Sequence, residues 1–226
     1  TYSSYFEDWS DPNNYMYTSS SELVHTSEDG TQLAKISLNG FAESENEYIY
    51  INQIIPLPDG RLIAFGNNTL YILKADASLD FKVKLDENSW LSEICASSTG
   101  DVFGFLTTYN PTSLESKSLL VRLDMGKREF VEAGSLPSTK YYRLLGAEGN
   151  SVVVYDNNAV YSFDTASGVL TEKLNWLNSD LNSNRVSLVV SVSDGRFFIT
   201  EYDKNYDKMK CAILTKASDY DVIEKY

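Results

Sequence analysis

The chain has 226 residues, of which 42% are hydrophobic and 13% aromatic, a composition that excludes wholesale disorder. Its 19 Lys and Arg residues stand against 32 Asp and Glu residues, which gives a net charge of −13. A field of this sign repels phosphate backbones and anionic lipid head groups, so we expect neither a nucleic acid partner nor insertion into a membrane.

The amino terminus and the composition favour an exported protein. The chain begins at Thr1 without a Met, which predicts a processed or excised piece of a longer protein. Many Ser, Asn, Asp and Tyr residues and a single His predict an extracellular or cell-surface location. Cys95 and Cys211 lie in apolar patterns far apart in the sequence, which favours buried free thiols over a disulfide framework or a metal site.

The first predicted strands are short and polar. Residues 15–17 predict one strand and residues 22–26 a second. After a polar turn at residues 28–30 the chain returns as a third strand over residues 33–38. The sixteen Tyr residues of the chain also favour sheet, because Tyr suits a half-buried pleated surface.

A glycine-centred turn then recurs along the chain. It lies between two apolar runs each time, at spacings of 40, 49 and 46 residues, and its glycines are Gly60, Gly100, Gly149 and Gly195. Such glycines supply the positive φ that a tight hairpin requires. A second hairpin follows each time, with apolar runs at residues 70–73, 119–123, 160–163 and 211–214 and more polar strands at residues 81–85, 130–133, 170–174 and 221–226.

Four strands in about 45 residues is the period of a β-propeller blade. The sequence therefore predicts an all-β fold, a single domain over residues 1–226 with about five four-stranded antiparallel blades, as a closed ring or an arc of a larger propeller. The equivalent inner-strand positions are predicted to be Ile54, Ile94, Leu144 and Val189. The core between blades is predicted to contain Leu62, Val102, Val152 and Phe197. A β-sandwich is the alternative, because it also has short strands at this spacing.

The run LPDGRL at residues 57–62, followed by LYI at residues 70–72, resembles the blades of bacterial secreted propellers. These include segments similar to the N-terminal part of clostridial-type lipoproteins that carry an extracellular solute-binding domain. The resemblance covers residues 47–226 and implies a role in carbohydrate uptake or sensing at the cell surface. It carries over no catalytic residue. Residues 27–31 are similar to a sialidase-type Asp-box turn but are one residue too short, and no Trp-Asp dipeptide supports a WD-type propeller.

Candidate catalytic groups are few. His25 is the only histidine and lies in an alternating strand pattern, which disfavours a general base or a zinc ligand. The acids at strand ends are of the type that bonds the backbone of turns, although a two-carboxylate hydrolase stays open on numbers alone. We therefore expect no catalytic residue, no metal and no cofactor.

One pattern favours binding. The connections that lead from each fourth strand into the next first strand share one rim, and they carry the aromatic residues Tyr48, Tyr50, Trp90, Tyr141, Tyr142 and Trp176. Such side chains either stack on a sugar or peptide or pack between blades. Our hypothesis is a non-enzymatic propeller that binds a carbohydrate or a protein. A propeller-type glycan-active hydrolase or lyase and a structural spacer are the alternatives.

Overall fold

Strands and one short 3-10 helix form the regular structure of the part of the chain that a computed structural model describes. The structure describes residues 6–7, 14–19, 22–27, 29, 31–42, 49–66, 68–137, 141–156, 159–175, 186–192, 196–202, 209–215 and 222–225. These residues form five four-stranded sheets, numbered here in chain order.

The twenty strands divide evenly among the five sheets. The first sheet contains β1 (Phe6–Glu7), β2 (Asn14–Ser19), β3 (Glu22–Ser27) and β4 (Gln32–Ser37), and the 3-10 helix η1 (Leu38–Phe41) follows it. The second contains β5 (Gln53–Pro56), β6 (Leu62–Gly66), β7 (Thr69–Leu73) and β8 (Leu79–Lys84). The third contains β9 (Ser89–Ala96), β10 (Val102–Asn110), β11 (Glu115–Asp124) and β12 (Glu129–Gly134). The fourth contains β13 (Arg143–Glu148), β14 (Ser151–Tyr155), β15 (Ala159–Asp164) and β16 (Val169–Asn175). The fifth contains β17 (Val186–Val192), β18 (Arg196–Tyr202), β19 (Met209–Thr215) and β20 (Val222–Lys225).

Each sheet is an antiparallel meander in which the strand order follows the chain. The predicted all-β architecture of four-stranded antiparallel units is thus confirmed. The short strand predicted at residues 15–17 lies within β2, which supplies the opening half of the first sheet together with β1. Five separate sheets do not match the two packed layers of the β-sandwich alternative.

Gly60 and Gly100 close equivalent turns between the first and second strands of their sheets. The N–H of Gly60 donates to the carbonyl oxygen of Leu57, and that of Gly100 to the carbonyl oxygen of Ser97, both at 3.0 Å. Their φ values are 82° and 88°, a left-handed conformation that glycine adopts without strain. The prediction that these two glycines are equivalent is confirmed.

Gly149 holds the same place in the fourth sheet but in a tighter loop. Its φ is 53°, and only one residue follows it before the next strand, because Glu148 pairs directly with Ser151. Gly195 lies outside the described residues. The four predicted inner-strand positions all fall in the first strands of their sheets, at Ile54, Ile94, Leu144 and Val189.

The middle strands of the second sheet are buried on both faces. Every residue of β6 and β7 is buried, and successive side chains belong to different clusters. Leu62 and Leu73 pack toward the first sheet, whereas their neighbours Ile63 and Ile72 pack toward the third. In this sheet the second and third strands are the most buried, because each of them has a strand on either side.

The predicted core positions behave as expected where their side chains are described. Leu62, Val102 and Val152 are all buried, each in a cluster that joins two neighbouring sheets. The side chain of Phe197 lies outside the described part of the chain. Each described sheet interface is thus an apolar layer, as expected for sheets covered on both sides.

The first strands hold successive sheets together. β5 contacts β9, β9 contacts β13, and β13 contacts β17. Because strands alternate in direction, the turn between second and third strands lies at the same end of a sheet as the link to the next sheet. We call this end the upper face. The lower face carries the turns between first and second strands and between third and fourth strands.

Every sheet also has a register shift between its third and fourth strands. The shifts lie at His25/Thr26, Ile72/Leu73, Leu120/Val121, Val160/Tyr161 and Ile213/Leu214. Irregularities of this kind increase the local twist of a strand pair. The outermost strand of each sheet is therefore rotated away from the plane of its neighbours.

Candidate functional site

On the upper face, the link between the second and third sheets is fixed from two sides. The side-chain amide of Asn68, in the β6–β7 turn, donates to the carbonyl oxygen of Ser89. From the other side, the N–H of Tyr109 donates to the carbonyl oxygen of Asn88 at 2.8 Å. These bonds to two hairpins hold the start of β9, so Trp90 is presented from a fixed position.

Tyr50 is presented by a segment that packs closely on β6. The residues on either side of it, Ile49 and Ile51, are buried, and Tyr50 itself is half exposed. A Cβ atom on Gly66 would lie 1.6 Å from the carbonyl oxygen of Tyr50, so only glycine permits this approach. The position of Tyr50 on the upper face therefore depends on the glycine that ends β6.

Two adjacent tyrosines have opposite roles before β13. Tyr141 is exposed, whereas Tyr142 is buried and packs edge-on against Tyr161 with the ring centroids 5.7 Å apart. Tyr142 therefore belongs to the packing between the third and fourth sheets and presents no surface to a ligand. Of the other predicted rim residues, Tyr48 and Trp176 lie outside the described residues.

Arg143 forms a charged cluster beside Tyr141 that the sequence did not reveal. Its Nε donates to Glu93 Oε1 at 2.7 Å, and Glu93 Oε2 accepts the N–H of Leu144. The guanidinium lies 5.8 Å from the centroid of the Tyr155 ring. The hydrogen bond to Glu93 raises the pKa of Arg143 further, while burial raises the pKa of Tyr155. In the sequence, the only sign of this cluster is the charged residue Glu93 within the otherwise apolar second half of β9.

Side chains from the inner strands tie neighbouring sheets together at equivalent positions. Gln53 precedes Ile54 and donates from Nε2 to the carbonyl oxygen of Ile94 at 3.1 Å. Glu93 precedes Ile94 and accepts the N–H of Leu144 in the next sheet. In both cases the residue before the predicted inner-strand position reaches the backbone of the following sheet. Gln53 and Glu93 therefore help to hold neighbouring sheets together.

Three hairpin turns share one geometry. The turns begin at Asn110, Asp124 and Asp164. In each, the side-chain oxygen of the first residue accepts hydrogen bonds from the backbone N–H groups of the third and fourth residues of the turn. The carbonyl oxygen of the first residue accepts a hydrogen bond from the N–H of the fifth residue, at 2.7–2.8 Å. The fifth residue adopts a left-handed conformation in all three. These residues are Leu114 at φ 59°, Arg128 at φ 59° and Gly168 at φ 71°.

The left-handed position is relaxed in only one of these turns. A side chain in this conformation costs about 1–2 kcal/mol, which Gly168 avoids. Arg128 gains a contact, because its guanidinium lies 5.0 Å from the centroid of the Phe81 ring. Leu114 belongs to no described core cluster and is exposed at the tip of the β10–β11 hairpin. The tip thus holds a strained apolar residue in solvent.

The exposed apolar residues concentrate on the upper face. Among the residues whose side chains are described, five large hydrophobic residues are exposed: Tyr141 (78%), Leu114 (73%), Val169 (54%), Tyr50 (48%) and Trp90 (45%). Only Val169, at the start of β16, lies on the lower face. Three of the remaining four are predicted rim residues.

The lower face has a different chemistry, dominated by carboxylates that bond turns. Asp124 accepts the N–H groups of Gly126 and Lys127, and these bonds lower its pKa. Hydrogen bonds from Ser167 lower the pKa of Asp164 in the same way. These carboxylates therefore stabilise turns by accepting hydrogen bonds, as the sequence indicated for acids at strand ends.

The other predicted groups lie apart. His25 falls in β3, paired with Met16 and Ala34. Cys95 is a free thiol whose pKa is raised to about 12 by burial and, less, by the negative charge of Glu93. Within the described residues, no group of three His, Cys, Asp or Glu side chains is placed to hold a metal. In the same part of the chain, no helix is long and apolar enough to span a membrane.

No family model matches the chain, and no curated protein matches its sequence. Solved structures do share its fold. A luciferin-regenerating enzyme aligns at a TM-score of 0.56 and 10% identity, over 99% of this chain and 74% of that one. The Neurospora crassa Pan2 WD40 domain aligns at 0.54 and 11%, over 95% and 62%. A chain of a nidogen/laminin complex aligns at 0.50 and 11%, over 95% and 75%.

These similarities establish a β-propeller-like fold. At 10–11% identity they show the fold alone, and the likeness to a WD40 domain does not extend to the Trp-Asp dipeptide, which this chain lacks. The propeller part of the sequence resemblance is therefore confirmed. No finding links the chain to clostridial-type solute-binding lipoproteins, and that part stays a prediction.

Proposed function

We propose that the protein is a non-catalytic binding module whose upper face takes a protein partner. The observation that carries the proposal is the distribution of exposed large hydrophobic residues, four of which lie on this face. Large exposed apolar groups that share one face of a molecule favour an interaction surface on that face. Tyr and Trp together with Arg are also the residues that dominate binding energy in protein interfaces.

A protein fits this surface better than a small molecule does. Tyr50, Trp90 and Tyr141 precede or begin the first strands of three successive sheets, so they are spread over the face. Small ligands are held in concave clefts that bury most of their surface, whereas a protein partner can contact separated anchors. Arg143, held by Glu93 beside Tyr141, supplies a fixed cation for a polar group of the partner.

The β10–β11 hairpin extends this surface. β10 runs for nine residues, against five in the equivalent β6, which lengthens the hairpin by about 13 Å at ~3.3 Å per residue. Its tip carries the strained, exposed Leu114. Backbone strain retained at an exposed position supports a functional role. In this proposal Leu114 is an anchor that enters an apolar pocket of the partner.

The test is a comparison of variants in partner capture followed by a binding measurement with the purified partner. A protein retained by the wild type and by the lower-face variant Val169→Ser, but lost with Trp90→Ala and Tyr141→Ala, supports the proposal. Each substitution is expected to weaken binding by roughly 1–3 kcal/mol, the effect of losing a hot-spot aromatic residue. Equal retention by all variants overturns it.

A carbohydrate ligand is the second candidate, because exposed Tyr and Trp rings also stack on sugars. In a glycan panel, saturable binding that Trp90→Ala abolishes would favour this candidate over a protein. Turnover of a glycan would instead favour the hydrolase or lyase alternative, and the absence of any partner would favour a spacer. The exported, cell-surface setting belongs to this proposal as well.

We infer further that the five sheets are the blades of one propeller domain over residues 1–226. The support is the succession of contacts between first strands, from β5 to β17. A compact domain of this length has a radius of gyration of about 17 Å. Small-angle scattering at that value supports a closed ring, whereas a clearly larger radius indicates an arc that needs further blades.

A further inference from the structure

A groove runs between the outer strands of the second and third sheets and reaches the upper-face link that leads into β9. Its volume is about 250 Å³, and it lies between β8 and the start of β12. Its apolar lining residues belong to, or pack on, the core between these sheets; they are Val83, Leu85, Leu106 and Phe130. This volume is below the ~300–1,000 Å³ of clefts that bind small organic ligands.

Three cations line the groove although the whole chain carries a charge of −13. Lys82, Lys84 and Arg128 lie along it, together with the acids Asp86 and Glu129. The lining therefore has a net charge of +1, three positive against two negative. A locally positive groove on a strongly negative molecule attracts an acidic partner and repels a basic one.

Arg128 is placed over the groove at a conformational cost. It occupies the left-handed position of its turn, where the matching turn of the fourth sheet has Gly168. Its guanidinium lies over the ring of Phe81, a member of the core cluster between the two sheets. A glycine would satisfy the turn without strain, so the turn itself does not require an arginine here.

We propose that this groove binds an extended peptide segment of a partner protein, with carboxylates on either side of an apolar residue. The apolar side chain lies against Val83, Leu85 and Phe130, and the flanking carboxylates face Lys82, Lys84 and Arg128. An anionic glycan matches the cations but has no side chain for the apolar lining. The peptide is therefore the occupant that uses both features of the groove.

The test is fluorescence anisotropy with a labelled peptide of sequence Glu-Glu-Leu-Glu-Glu. The wild-type protein should bind it, and binding should weaken as salt is raised, because exposed charges are screened. Arg128→Gly removes the cation and relaxes the turn, so the fold is retained. Loss of one such contact is expected to weaken binding roughly threefold to tenfold.

Lys127→Ala is the matched control. Lys127 lies in the same turn and carries the same charge, but it does not line the groove. It should change peptide affinity by less than about twofold. Equal losses with Lys127→Ala and Arg128→Gly would show only long-range attraction and overturn the site. Absence of wild-type binding at millimolar peptide and low salt would overturn it too.

Two further binding experiments test whether the ligand of the groove is a peptide with an apolar residue. Replacing the central Leu of the peptide with Ser should weaken binding, since the apolar lining then has no partner, and unchanged affinity contradicts the proposal. Dextran sulfate that binds in place of the peptide, with Arg128→Gly reducing its affinity, would assign the groove to anionic glycans and overturn the peptide assignment.

Discussion

The upper and lower faces are built from the same sheets but by different rules. The lower face repeats short turns in which Gly supplies a left-handed conformation or Asp bonds the backbone, as at Gly60, Gly100, Asp124 and Asp164. The upper face has longer links, the extended β10–β11 hairpin and most of the exposed apolar side chains. Because the turns at the lower face follow standard turn chemistry, the sheets can keep their geometry while the loops of the upper face differ in length and composition.

The largest expected difference is between two adjacent tyrosines. Tyr142→Ala should lower the free energy of unfolding by about 3–5 kcal/mol, because it removes a buried ring from the packing against Tyr161. Tyr141→Ala, at an exposed position, should cost less than about 0.5 kcal/mol. Chemical denaturation measures both. Similar costs at the two positions would contradict the assignment of one tyrosine to the core and the other to the upper face.

Both faces depend on the layers between sheets, and Leu62→Ala tests that dependence. Leu62 is buried toward the first sheet, so its truncation should cost about 2–5 kcal/mol. Denaturation monitored by Trp fluorescence and by circular dichroism should show one shifted transition. A loss below about 1 kcal/mol would mean that the faces of β6 are assigned wrongly.

On the lower face, Gly60→Ala should cost about 1–2 kcal/mol. The substitution forces a Cβ atom into a conformation at φ 82°, although the surrounding space is sufficient. Gly40→Ala is the control, since nothing lies within 4 Å of its added Cβ and its φ is not left-handed. Thermal unfolding that moves equally for both variants would argue against turn strain as the cause.

On the upper face, relief of left-handed backbone strain is expected to stabilise the protein. Leu114→Gly should raise the free energy of unfolding by up to about 1 kcal/mol, because it relieves a left-handed side chain that has no core contact. The same variant should weaken partner binding if Leu114 is an anchor. Stabilisation with undiminished binding would separate the strain from the proposed function, and destabilisation would refute the strain.

The smallest expected effect is a difference in acid sensitivity. Backbone hydrogen bonds hold the pKa values of Asp124 and Asp164 below the ordinary value of 3.8. A lowered folded-state pKa means that their stabilisation is present above the ordinary carboxyl pKa and is lost as pH falls through the lowered value. The upper-face turn has the non-titrating Asn110 at the equivalent place. Amide hydrogen exchange near pH 3 should therefore increase at the two lower-face turns before it increases at the hairpin tip.

The repeat was predictable because turn chemistry is local. Gly60, Gly100 and Asp124 each require a conformation or hydrogen bond that neighbouring residues supply, so their spacing revealed the strands between them. The sequence could not separate Tyr141 from Tyr142, because two adjacent aromatic residues point to opposite sides and only packing decides which is buried. Nor could it predict the Glu93–Arg143 pair, whose partners are fifty residues apart and meet only when two inner strands lie side by side.

The register shifts beside every outer strand affect the tendency of the protein to aggregate at high concentration. An outer strand with regular, unpaired backbone groups is a template on which another molecule can add a strand and begin to aggregate. Here each outer strand is displaced by one position relative to its neighbour, so its edge is twisted instead of flat. Together with a charge of −13 that repels other copies, this irregularity opposes edge-to-edge pairing between molecules whose described regular structure is almost all strand.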